Sequence, residues 1–158
     1  MTTGAHNLAL LAEESFERHG DYKALFFEGT WHTTGELRDR THRLASGFTE
    51  LGIEPGDRVA VQAPNTHHWV LAALGALHAG ATLVPVGTRL TGHEALDIVQ
   101  RSRARALVVA GPFLGVDRLA QLREAAGPEG LPDLRLVLRV PTGDAMPAAA
   151  GAVEWHEV

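Results

Sequence analysis

The run RVAVQAPNTHHWVLAALGALHAGATLVPVGTRLTGHEALDIVQRSRARALVVA, residues 58–110, decides the fold. Its apolar pattern changes period in a regular way. Residues 58–62 read as a strand. Residues 66–79 are apolar nearly all round, which predicts a buried helix ended by Gly80. Residues 82–86 form a strand without polar alternation, as a strand covered on both faces would be. Thr91 and Glu94 have the spacing of a capping box, in which each residue satisfies a backbone N–H of the other at a helix start. That helix runs to about Ser102, and residues 105–110 are the next strand.

The same alternation continues downstream, with a helix over 113–126 on Phe113, Val116, Leu119, Ala120 and Leu122. A strand follows over 134–140, with Arg135 and Arg139 on one face. Strand starts near 58, 82, 106 and 135 are spaced by 24, 24 and 29 residues. A hairpin needs only a few linking residues, whereas a crossover to a parallel strand needs a dozen or more. The spacing therefore predicts an α/β fold, a parallel sheet flanked by helices on both faces.

Upstream, residues 8–18 read as an amphipathic helix. Residues 24–27 and the segment around Trp31 read as a small N-terminal hairpin turning at Glu28-Gly29. Thr33 and Glu36 form a second capping box. Leu37, Thr41, Leu44, Phe48 and Leu51 then repeat at helical steps up to the stop at Gly52. Residues 1–140 are expected to form one α/β subdomain. The Pro/Ala/Gly-rich segment 141–158 is expected to be a linker or an unfinished connection, and Trp155 either packs back on the sheet or belongs with something outside the chain.

The composition narrows the chemistry. The chain has 158 residues and a net charge of −5, which disfavours nucleic acid as a partner because phosphate binding needs a basic surface. There is no cysteine, so disulfides, thiolate zinc sites and a cysteine nucleophile are excluded. No apolar run is long enough for a membrane span and the N-terminus lacks a signal pattern, so a cytoplasmic location is expected. The three serines lie in expected helices, with no G-x-S-x-G elbow, and no G-x-G-x-x-G is present. GALHAGAT at 75–82 has Walker-like glycine spacing. It carries Ala81 where Lys is needed, however, and runs from helix to strand, so its small residues read as close packing of helix and sheet. His67 and His68 are neighbours on a helix and point to different sides, while His93 and Asp97 share a face but are too few for zinc. No metal site is expected.

One segment is more informative. GTRLTGHE at 87–94 follows a strand and opens a capped helix, and ligands in open α/β sheets bind beyond the carboxyl ends of strands. Helix N-termini favour anions. Arg89 in this loop is the candidate anion contact. The alternative is a solvated Arg89 paired with Glu94 or Asp97.

The stretch from Ala24 to Val99 resembles the N-terminal part of adenylate-forming (AMP-binding) enzymes. The resemblance rests on the segment from Thr33 to Leu51, GIEPGDRVAV at 52–61, the Pro64-Asn65 pair, and GALHAGATLVPV running into TRLT, and it extends over about residues 7–140. The PVGTRLT run at 85–91 is closest to fatty-acid and acyl-CoA synthetases, with Gly87 in place of their common Asn. The resemblance implies a parent reaction of carboxylic acid, ATP and CoA to acyl-CoA, AMP and pyrophosphate, with ATP, Mg and CoA as its cofactors. It implies that Arg89 contacts a CoA phosphate. It also implies that the phosphate loop and the catalytic lysine lie in the remainder of the synthetase, the expected partner. Lys23, the one lysine, sits before a strand at the wrong end of the chain. This chain alone should then be inactive, hold no cofactor tightly and contribute no catalytic residue. Its exposed flank should favour self-association, for example as a homodimer. The alternative is a free-standing, non-catalytic binding or assembly module. An unrelated receiver-like domain would need a strand-ending Asp, and none is seen.

Overall fold

The structure is a computed structural model describing residues 7–143 and 149–158. The elements are α1 (Leu8–His19), β1 (Lys23–Phe27), β2 (Thr30–Thr33), α2 (Thr34–Glu50), β3 (Arg58–Gln62), α3 (His67–His78), β4 (Thr82–Pro85), α4 (Gly92–Ser102), β5 (Ala106–Ala110), α5 (Arg118–Ala126), β6 (Leu136–Val140) and β7 (Val153–Glu154), with short 3₁₀ turns at Gly127–Glu129 and Trp155–Glu157. Strands β1 and β2 form the expected antiparallel hairpin, with Phe27 opposite Thr30. Its two turn residues, Glu28 and Gly29, both have positive φ (46° and 80°), the requirement of a tight hairpin turn.

The other five strands form one parallel sheet in the order β4-β3-β5-β6-β7. The chain steps outward from β3 to β4, returns past β3 to β5, and then continues in the opposite direction. Right-handed crossovers in opposite directions place their helices on opposite faces, and the core divides accordingly. Val59, Val61, Ala106, Val108, Leu136 and Leu138 face α2 and α3, packing on Leu44, Phe48, Leu71 and Ala76. Their strand neighbours Ala60, Leu107, Val109 and Val137 face α4 and α5, packing on Ala95, Val99, Leu119 and Leu122. Both predicted capping boxes are present, Thr33 with Glu36 and Thr91 with Glu94. Each contributes on the order of 1 kcal/mol.

Several sequence expectations are revised. Helix α5 begins at Arg118, five residues later than its apolar pattern suggested. Leu114 and Gly115 take positive φ in a tight turn closed by a Phe113–Val116 bridge, and the Asp117 carboxylate caps the Ala120 N–H at 3.0 Å. Strand β4 is an edge strand: Leu83 packs on the α2–α3 side and Val84 on the α4–α5 side, so each face is covered in part, while Thr82 and Pro85 stay exposed; Pro85 is tolerated there because an edge has free donor positions. Leu51 falls at the C-cap of α2 and is 41% exposed. The close approach at Gly75 is between helices: a Cβ there would lie 2.9 Å from Leu44 Cδ2 of α2. Arg135 is exposed just before β6 begins, while Arg139 is 2% exposed within it.

Beyond residue 140 the chain adds β7 beside β6, where Glu154 accepts a hydrogen bond from the buried Arg139 guanidinium at 3.0 Å. Trp155 packs back on the α2–α3 side of the core and stands edge-on to His68, 5.1 Å between ring centres. Among the described residues, no helix is long and apolar enough to cross a membrane.

Candidate functional site

The strand order reverses between β3 and β5. In an open parallel sheet the loops leaving such neighbouring strands diverge to opposite faces, and a crevice opens at their carboxyl ends. A cleft of about 390 Å³ lies there. The loop after β3 supplies Pro64, Asn65 and Thr66, the loop after β5 supplies Phe113, and the segment after β6 supplies Pro141, Thr142 and Gly143. The first turn of α3 adds His67 and His68, and the hairpin adds Phe27 and Glu28. The hairpin thus acts as a wall: Phe27 and His32 both lie against the His67 ring, at 5.2 and 4.7 Å between centres.

His67 and His68 do not point apart as adjacent helical residues were expected to do. They lie at the first helical turn, where the rings lean together with centres 3.8 Å apart. Burial, reinforced by the Arg40 cation and the neighbouring imidazoles, pushes both pKa values down to about 4, so both rings are neutral at pH 7. Two buried polar atoms in this corner, His67 Nδ1 and Thr66 Oγ1, have no hydrogen-bond partner among the described residues. Thr66 is the N-cap of α3, yet its hydroxyl does not cap the helix. Unpaired buried donors and acceptors at a helix start leave polar capacity available to a bound group.

Arg89 lies on the same carboxyl edge but outside this cleft, one strand away, in the exposed turn after β4. The alternative pairing with Glu94 or Asp97 is not formed: Glu94 is held by Thr91 N and Oγ1 at 2.8 and 2.9 Å, and Asp97 pairs with Arg101 at 3.3 Å. The Arg89 guanidinium has no partner among the described residues, and the adjacent α4 N-terminus is neutralised in part by Glu94 itself. The loop is nevertheless fixed. Gln62, 2% exposed at the end of β3, donates to the Gly87 carbonyl at 3.3 Å. Gly87 needs no glycine conformation, and a Cβ would meet Leu90 Cγ at an ordinary 3.5 Å, so the absence of the common Asn does not distort the turn. An exposed guanidinium on an anchored turn is chemically suited to a phosphate.

His93 is exposed and shares no partner with Asp97. A third constellation joins three helices. Glu13 of α1 receives His42 of α2 and His78 of α3 on one carboxylate oxygen. Residues 13, 42 and 78 are too far apart in the chain for spacing to reveal this group.

The sheet order and the cleft at its reversal define a doubly wound α/β domain of the kind that binds ligands beyond its strand ends. Residues 12–157 match the family described as AMP-binding enzyme, and the chain belongs to that family. It is 52% identical over 115 residues to a 3-(7a-methyl-1,5-dioxo-octahydro-1H-inden-4-yl)propanoyl:CoA ligase of Rhodococcus jostii, covering 72% of this chain and 22% of that protein. The ligase of the same name from Mycobacterium tuberculosis is 50% identical over 121 residues, covering 77% of this chain and 23% of that one. Among solved structures, acetoacetyl-CoA synthetase from Streptomyces lividans superposes with a TM-score of 0.81 at 27% identity, covering 96% of this chain and 24% of that chain. The chain therefore spans between a fifth and a quarter of the length of these relatives, and corresponds to the N-terminal region of such ligases.

Proposed function

We propose that this chain works as the N-terminal α/β subdomain of an ATP-dependent acyl-CoA synthetase. The assembled enzyme would convert a carboxylic acid, ATP and CoA to acyl-CoA, AMP and pyrophosphate. The observation that carries this reading is the family match running through nearly the whole described sheet, joined to 52% identity with a propanoyl:CoA ligase. That identity also favours the acid: a propanoate borne on a fused bicyclic ring, rather than a linear fatty acid.

Within this reading Arg89 holds a phosphate of CoA. Its guanidinium is exposed, lacks a partner among the described residues, and sits on the turn anchored by Gln62. CoA supplies the thiol that receives the acyl group, and this chain's share of the task is to orient the nucleotide end. The activated phosphates of ATP find no comparable holder here, because no Ser/Thr/Gly-rich phosphate loop and no suitably placed lysine occur in the 158 residues. Chemistry thus falls to a complementary segment, with this chain as scaffold. Pyrophosphate release by the purified chain, offered ATP, Mg²⁺ and a panel of linear and bicyclic acids, should stay at background. Turnover by the chain alone would overturn this division of labour.

A further inference from the structure

The group formed by Glu13, His42 and His78 lies far from the cleft. His78 is in the last turn of α3, while the cleft sits at the first, and an 11-residue advance along a helix is about 16 Å. Three chemical features converge there. First, Glu13 Oε1 lies 2.7 Å from His42 Nε2 and 2.8 Å from His78 Nε2, and the three candidate ligand atoms lie within 4.8 Å of one another. Second, His78 Nδ1 lies 2.8 Å from the Leu74 carbonyl oxygen. A carbonyl only accepts, so Nδ1 carries the proton, and in a neutral imidazole Nε2 then points a lone pair at the Glu13 carboxylate. Two electron-rich atoms 2.8 Å apart are held together by a shared cation, either a second proton on the imidazole or a metal ion. Third, an imidazole fixed by donation from its remote nitrogen to a main-chain carbonyl is the arrangement in which histidine ligates metals.

We propose that Glu13, His42 and His78 bind a divalent transition metal of the zinc type, clipping α1 to the body of the subdomain. Two imidazole nitrogens and one carboxylate oxygen make a donor set suited to tetrahedral Zn²⁺, with a solvent molecule completing the sphere. The location explains what the clip would do. Helix α1 has no buried residue, and Leu8, Leu10 and Leu11 are 62, 51 and 45% exposed. Apolar packing therefore does little to hold α1, and the Glu13 carboxylate is its polar link to both α2 and α3.

The test uses the whole 158-residue chain, stripped with a chelator and titrated with Zn²⁺, and with Co²⁺ as a spectroscopic substitute. One equivalent of Zn²⁺ should bind at micromolar concentration or below, and Co²⁺ should give the visible absorption of a tetrahedral site. Zn²⁺ should also slow hydrogen exchange in α1, while Mg²⁺ should not. His42→Ala and Glu13→Gln, both at partly exposed positions, should keep the native circular dichroism and lose at least about tenfold in affinity. His93→Ala, at an exposed histidine elsewhere, should bind as the unmodified chain does. Absence of stoichiometric binding would overturn the proposal and leave a protonated hydrogen-bonded clasp. Binding that survives both His42→Ala and Glu13→Gln would overturn it equally, by placing the ion at other histidines.

Discussion

Gln62 and Gly87 are joined across the carboxyl edge of the sheet: the buried side-chain amide of one donates to the backbone carbonyl of the other at 3.3 Å. This bond ties the turn that carries Arg89 to the interior strand β3 instead of leaving it to the edge strand alone. The tie has a functional consequence. If this chain replaces the matching segment of the Rhodococcus jostii ligase, Arg89→Ala in the chimera should raise KM for CoA and leave ATP–pyrophosphate exchange nearly unchanged. A charge-assisted contact exposed to solvent and salt corresponds to a rise of roughly tenfold or less. Equal damage to exchange and CoA use would make Arg89 a structural residue.

Two glycines close in sequence should respond oppositely to alanine. At Gly92, a Cβ would run into the backbone of α5, with the Gln121 carbonyl carbon 2.8 Å away and its oxygen closer still. Backbone cannot swing aside as a side chain can, so Gly92→Ala should cost about 1–3 kcal/mol in urea unfolding. Gly87→Ala adds only ordinary contact with Leu90 and should stay within about 0.5 kcal/mol of the parent.

The parts of the fold written in local signals were legible from the sequence. Strands β3, β4 and β5, the hairpin turn at Glu28-Gly29 and both capping boxes are each set by residues within a few positions of one another. The apolar spacing alone places the start of α5 too early, because it continues back to Phe113, while the positive φ at Leu114 and Gly115 and the Asp117 cap start the helix at Arg118. The cleft was not legible at all. It depends on β5 lying beside β3, an order that spacing does not encode, and on the hairpin delivering Phe27 and His32 to His67 from 35 or more positions away. Arg89 was found through its place between a strand and a cap, but its freedom from Glu94 and Asp97 emerged only from the side-chain geometry.

The paired imidazoles give stability a defined pH dependence. In the unfolded chain His67 and His68 titrate near the ordinary value of 6.5, and in the folded chain near 4. Between these values the unfolded state binds more protons, so stability falls as pH drops from 6.5 toward 4 and is insensitive to these groups above pH 7. Because the rings keep some solvent contact, the loss at pH 5 should be on the order of 1–3 kcal/mol for the pair. Urea midpoints at pH 7 and pH 5 read it directly. Replacing both residues, His67→Gln with His68→Gln, should remove most of the difference. An unchanged pH dependence would mean that the two rings are hydrated and titrate normally.

If this chain works as the N-terminal subdomain of an acyl-CoA ligase, it is interchangeable with the matching segment of a relative. The direct measurement is ATP–pyrophosphate exchange, followed by thioester formation, in the chimera with the Rhodococcus jostii ligase. Given the shared sheet and 52% identity over the matching segment, the chimera should keep both half-reactions within roughly tenfold of that ligase. A soluble, cooperatively folded chimera that catalyses neither would contradict the account and move this chain to a non-catalytic binding role.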